Sequence, residues 1–143
     1  MTLPTLRTDR RHERGTSVVE MAIVLPLLLC LVFAIGEFGL MYQQWQTLTN
    51  AAREGARTGV VFRGTSCVAG TVQTEIQNAV STYMANTGVT LGAITTASSG
   101  VCAGSGTQLQ VTAQVPYSFA ALPGLAGLQS SITLSATSTM RNE

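Results

Sequence analysis

The hydrophobic pattern is dominated by one run. Met21 to Gly36 holds no charged residue, and Glu20 and Glu37 bound it. Counting Val18 and Val19, the run covers the 19 positions from 18 to 36, of which only Glu20 is charged. At about 1.5 Å per helical residue this is roughly 28 Å, close to the hydrocarbon thickness of a bilayer, so a transmembrane helix is predicted. The helical period does not stop there: Phe38, Met41, Tyr42, Trp45, Leu48, Ala52, Gly55, Ala56 and Gly59 continue it. Two seven-residue rows, Phe38-Trp45-Ala52-Gly59 and Met41-Leu48-Gly55-Phe62, make one seam that tapers from bulky to small, as a packing face requires. Ala51, Gly55 and Gly59 add a row of small residues that lets another backbone approach closely. Such an approach accounts for helical glycines that each cost about 1 kcal/mol relative to alanine. The expectation is a helix from Ser17 to Val61, ~68 Å long and about twice the hydrocarbon thickness, kinked at Pro26. A helix frayed after Ala52 by its glycines is the plainer alternative.

The rest of the chain changes period. Val72, Ile76, Val80, Tyr83 and Met84 recur at helical spacing between Gly70 and Gly88 and predict a short amphipathic helix. Leu109, Val111, Ala113, Val115 and Tyr117 alternate with polar residues, as in a half-buried strand. Ile132, Leu134 and Ala136 alternate likewise, with Met140 completing the row, and Val89 to Thr95 is a third, weaker strand. Ala103-Gly104-Ser105-Gly106 predicts a turn, and Pro123-Gly124 to Gly127 a loop. The fold class is therefore α+β: a long N-terminal transmembrane helix continuing into a small domain with a short helix and a three-stranded antiparallel sheet.

Charge orients this plan. Arg7, Arg10, Arg11 and Arg14 against Asp9 and Glu13 make residues 1–15 a net basic leader, and positive charge beside a first apolar segment keeps that side in the cytoplasm. The chain divides into a basic cytoplasmic leader (1–15), a transmembrane helix (16–37), an extracytoplasmic helical extension (38–62) and a small α+β extracytoplasmic domain (63–143). A cleavable signal peptide is the rival reading, with Ala34-Ile35-Gly36 as its small-residue cut site. Against it, Glu20 would fall inside its apolar region and the helical pattern runs past the cut. All eight basic residues are arginine and half lie in the leader, so with a net charge of +1 no basic patch for nucleic acid is left. Only 10% of residues are charged, which suits a domain that packs against other subunits and equally a flexible extracellular stalk, so composition alone does not decide.

Cysteine usage and the absence of catalytic groups narrow the function. Cys30 lies in the apolar helix and reads as a small hydrophobe. Cys67 and Cys102 fall on the side predicted to be outside, where disulfides persist, and a bond between them would staple a small Gly- and Ser-rich domain. Two unrelated thiols are the alternative. The single histidine, His12, is in the leader, so no metal site is expected. No histidine, lysine or aspartate follows residue 15, which removes Ser-His-Asp and Cys-His arrangements from everything downstream. The glycine-rich stretch Gly100 to Gly106 lacks the Lys-Ser/Thr ending of a phosphate loop. Neither an enzymatic activity nor a cofactor is expected.

The junction itself carries the most specific signal. In Arg14-Gly15-Thr16-Ser17-Val18-Val19-Glu20-Met21 an acidic residue stands fifth after a glycine, at the mouth of an apolar helix where a charge is unfavourable. This resembles the processing site of type IV prepilins, which implies cutting after Gly15, Thr16 as the new N-terminus, and Glu20 as a carboxylate compensated by an α-amino group, its own or a neighbour's. With Val24-Leu25-Pro26, Gly36-Glu37-Phe38-Gly39 and Thr49-Asn50-Ala51-Ala52-Arg53-Glu54-Gly55-Ala56-Arg57 added, residues 14–61 resemble the TadE-like family, minor pilins or pseudopilins of tight-adherence pilus systems. Leu134-Ser135-Ala136-Thr137 and Met140-Arg141 resemble the family's closing strand more weakly, and residues 63–130 match nothing specific. The resemblance implies an envelope protein that helps to build an adhesive filament. Its implied partners are a prepilin peptidase, other pilins or pseudopilins, the inner-membrane pilus assembly platform and the lipid bilayer. Two other outcomes stay open: an uncleaved membrane-anchored assembly factor, and a soluble binding domain released by signal peptidase after Gly36.

Overall fold

In the computed structural model of the 143-residue chain, residues 10–61, 66–88, 93–120 and 130–142 are described. The first element, α1, is a helix of 50 residues, Arg10–Gly59, about 75 Å long. It begins before the expected Ser17 and passes without a break through the Gly15–Thr16 bond, Pro26 and Glu37. It ends two residues short of the expected Val61, with Val60 in a turn. Phe62, assigned to the second row, lies outside the described residues.

The second helix, α2, spans Ala69–Asn86 and buries Val72, Ile76, Val80 and Met84, one residue from each turn. Val68 makes no side-chain cap at its start, whereas its end is closed twice. Thr87 Oγ1 donates to the Met84 carbonyl at 2.7 Å, and Gly88 follows with φ +67°, the left-handed conformation that ends a helix without a Cβ clash.

Three antiparallel strands complete the fold: β1 (Thr95–Ser99), β2 (Gln108–Ser118) and β3 (Ser131–Arg141), in the order β1-β2-β3. The architecture is α+β, as expected from the change of period. In β2 the alternation is strict, with Leu109, Val111, Ala113, Val115 and Tyr117 buried and Gln108, Gln110, Gln114, Pro116 and Ser118 exposed. Pro116 is tolerated because β1 pairs with Gln110–Gln114, so among the described residues the strand has a neighbour on one side alone at residue 116.

The third strand is where the sequence reading was out of place. Thr95–Ser99 forms it; Ala93 and Ile94 precede it as irregular chain, and residues 89–92 are outside the described set. Thr-Thr-Ala-Ser-Ser has no apolar alternation, and it is a strand because it pairs with the middle of β2. The turn at 103–106 is present as two short turns around Ala103-Gly104, whereas the loop expected at 123–127 is outside the described residues.

One face of the sheet packs on both helices. Leu48, Ala51, Ala52, Val80, Met84, Ala113, Val115, Tyr117, Leu134 and Ala136 form one cluster; Ala56, Val72, Ile76, Leu109 and Val111 form the next. The second half of α1 is thus a wall of the domain core, while its first half stands clear of the domain.

Candidate assembly and processing site

Gly15, Thr16 and Glu20 all lie on the exposed surface of α1. A Cβ built on Gly15 would meet nothing within 4 Å, and the same is true of Gly36 and Gly39. Among the described residues, no packing therefore calls for glycine at position 15. The apolar surface beyond it is open as well: Val18 is 68%, Ile23 72%, Leu27 75% and Ile35 64% exposed. By length and composition α1 is able to cross a membrane.

The packing residues divide differently from the two predicted rows. Met41, Leu48 and Gly55 do face the domain, with Leu48 fully buried and Met41 packed against the first cluster. Ala51, Ala52 and Ala56 are fully buried beside them. Phe38 and Trp45 are not in that seam: they are 62% and 42% exposed. Their places are taken by the residues one position earlier, Glu37 (5% exposed) and half-buried Gln44, so the observed row is Glu37-Gln44-Ala51. The physical reason is geometric. An ideal helix drifts about 20° per heptad against a seven-residue repeat, so two adjacent rows compete for the same face, and hydrophobicity alone selects the bulkier one.

The small-residue row is occupied from within the chain. A Cβ on Gly55 would stand 2.6 Å from Val80 Cγ2, and one on Gly59 would stand 2.5 Å from Leu109 Cδ2 and 2.8 Å from Ile76 Cδ1. Side chains of α2 and β2 thus fill the space over Gly55 and Gly59, and Ala51 is buried in the core beside them.

Glu37 is the residue that sequence reasoning missed. Placed on paper at the edge of the membrane segment, it is the one buried charged side chain among the described residues. Its carboxylate accepts a hydrogen bond from the Ala120 backbone N–H just past β2, and its own carbonyl accepts one from the Tyr117 hydroxyl at 3.3 Å. The Tyr117 ring meets Phe119 edge-on at 5.2 Å. This clamp ties the end of β2 to α1 at the point where the helix leaves the domain. The available signal was its position, seven residues before Gln44 and four before Met41, on the row that the core extends.

Burial first, and the neighbouring Glu37 carboxylate second, push the Tyr117 phenol above its ordinary value of 10.0. A folded-state value above the unfolded one means that the native protein holds this proton more tightly. The contribution is complete below about pH 10 and is lost as pH rises through the folded value. Alkaline unfolding followed in detergent should therefore steepen above pH ~10, and Tyr117→Phe should flatten that limb relative to wild type. Superimposable alkaline limbs would remove the clamp from the account.

At the opposite end of the sheet, Cys67 and Cys102 are joined as a disulfide with Cα atoms 5.8 Å apart; Cys30 is free. Cys102 adopts φ +60°, unusual for a non-glycine residue. The turn that carries it is also tied to the end of β3: Asn142 Nδ2 donates to the Gly100 carbonyl at 2.9 Å, and Arg141 Nε to the Gly106 carbonyl at 2.9 Å.

Compared with known families, residues 15–57 match the model described as TadE-like protein. No curated protein and no solved structure matches the chain.

Proposed function

From a chain that is TadE-like over residues 15–57, we propose a non-catalytic minor pilin or pseudopilin that takes part in assembling a tight-adherence pilus. In this reading α1 inserts with its N-terminus in the cytoplasm and the α+β domain lies outside. A prepilin peptidase removes residues 1–15, and Thr16 becomes the N-terminus. The observation that carries the proposal is a coincidence of boundaries. The family match begins at the glycine of the junction and ends inside the core-forming half of the same helix. A glycine with open space around it, in a helix that would gain about 1 kcal/mol from alanine there, is what a requirement imposed from outside the chain looks like. The exposed apolar face then offers neighbouring subunits and the assembly platform a surface to bind.

A second reading has one observation in its favour. The Gly15–Thr16 bond lies inside α1, and a peptide bond held in a helix must unwind before a peptidase can grip it. An uncleaved, membrane-anchored assembly factor would leave that turn intact.

The mass of the protein taken from the envelope separates the readings. Loss of residues 1–15 supports the pilin, an intact chain supports the anchored factor, and loss of residues 1–36 identifies a secreted domain. In the first case Gly15→Val should hold the chain at full length, because the peptidase must accept a residue without a side chain at its cut. Equal masses for wild type and Gly15→Val, both uncut, would sink the processing step and leave the anchor standing.

A further inference from the structure

The charge that ends the apolar run on paper does not end it in space. Glu37 is 5% exposed, its carboxylate turned to the Ala120 amide, so no formal charge reaches the outer face of α1 at that level. Beyond it Phe38, Leu40, Tyr42 and Trp45 remain 62%, 59%, 49% and 42% exposed. Between Glu20 and Arg53 the helix presents no exposed charged residue. Phe38 stacks on Tyr42 with ring centroids 6.5 Å apart, and Tyr42 meets Trp45 at 6.0 Å, making a continuous aromatic ridge. Both polar tips in it are engaged: Gln46 Nε2 donates to the Tyr42 hydroxyl at 2.7 Å, and Trp45 Nε1 donates to the Ser135 carbonyl at 3.3 Å.

We infer that this ridge is seated in the outer interface of the lipid bilayer, so that the membrane level lies several residues beyond Glu37 and the clamped end of the domain dips into the outer leaflet. The inference rests on the membrane insertion proposed above and adds its register. Twenty helical residues span about 30 Å of hydrocarbon, and counted from Met21 they end at Leu40. The headgroup zone adds roughly 5–7 Å on each side, about three to five residues, which brings in Tyr42 and at its outer edge reaches Trp45. Tyrosine and tryptophan favour this zone because the ring is apolar and its tip is polar. The same register leaves Glu20 at the inner edge of the hydrocarbon. It also gives a reason for the Glu37 clamp. A carboxylate at hydrocarbon depth is costly if it faces lipid, and here it faces a backbone amide instead.

Trp45 is the only tryptophan in the chain, so the native protein carries its own probe. The full chain is reconstituted into phosphatidylcholine vesicles containing lipids brominated either near the headgroup or near the acyl terminus. Emission is also titrated with aqueous iodide. The expected result is strong quenching by the shallow bromolipid, weaker quenching by the deep one, and little by iodide. A reference protein, Leu29→Trp in a Trp45→Phe background, should be quenched best by the deep bromolipid. If that reference behaves so while Trp45 answers to iodide and to neither bromolipid, the helix is inserted but the register is wrong. If Trp45 is shielded from all three quenchers and opens to iodide on dilution of protein in lipid, a second copy covers the ridge, and the inference is overturned. If the reference tryptophan also ignores both bromolipids, membrane insertion itself fails.

Discussion

Replacing Cys67 and Cys102 together by serine should remove on the order of 3–4 kcal/mol from the stability of the domain. The bond closes a loop whose ends are 35 residues apart in sequence, and that loop contains the whole of α2 and β1. Without it, α2 rests on the packing of Val72, Ile76, Val80 and Met84 against α1 and the sheet, and β1 on its five pairs with β2 and its packing on α2. For a domain of this size such a loss corresponds to roughly 15–25 °C in Tm. Thermal unfolding in detergent, oxidised wild type against the double variant, measures it. The double variant is preferable because either single change leaves a reactive thiol. Mass spectrometry without reductant should find the Cys67 and Cys102 peptides linked and Cys30 unmodified. Equal Tm values, or recovery of both cysteines as thiols from envelope protein, would show that the domain stands without its staple.

The second large effect is expected at Glu20, and it is all-or-none in character. Glu20 lies five residues past the proposed cut, on the exposed surface of the apolar half of α1. Trimming would supply one new charge nearby, the Thr16 ammonium. An unpaired carboxylate in low dielectric is costly, so each subunit gains by finding a cation, and a neighbour's N-terminus would fix the axial register between subunits. Glu20→Gln keeps size and helix propensity while removing that demand. The variant should insert and be trimmed as wild type is, yet fail to co-purify with the major pilin or to support piliation. Normal pili containing the variant would return Glu20 to the role of a helix residue near the N-terminus of the mature chain.

The large-scale plan was legible because period is a robust signal. A charge-free run of membrane length, i, i+4 apolar spacing from Val72 to Met84, and alternation from Leu109 to Tyr117 each specify one kind of element. What could not be read was the choice between neighbouring rows of α1. Phe38 and Trp45 are the hydrophobic candidates, yet the core takes Glu37 and Gln44, because the end of β2 brings the Ala120 amide to meet the carboxylate. A contact between residues 83 positions apart leaves no trace in local pattern. The edge strand was misplaced for the opposite reason. Thr95–Ser99 has almost no pattern of its own and takes its conformation from β2. At Gly15 the sequence carries a resemblance that the fold does not explain, since nothing among the described residues crowds that position.

The core residues Leu48, Ala51, Ala52 and Ala56 belong to the same helix that bears the exposed apolar face. No linker separates the two, and this has a mechanical meaning. In the proposed filament, tension would pull subunits along their helix axes, and that pull would pass into the domain with no slack to take up. The helix lies along a sheet and a second helix, so the load is spread in shear over the whole contact instead of peeling it one turn at a time. At one end the Glu37 clamp would be the first tie to feel it. At the other the disulfide, a covalent tie, would be the last to yield.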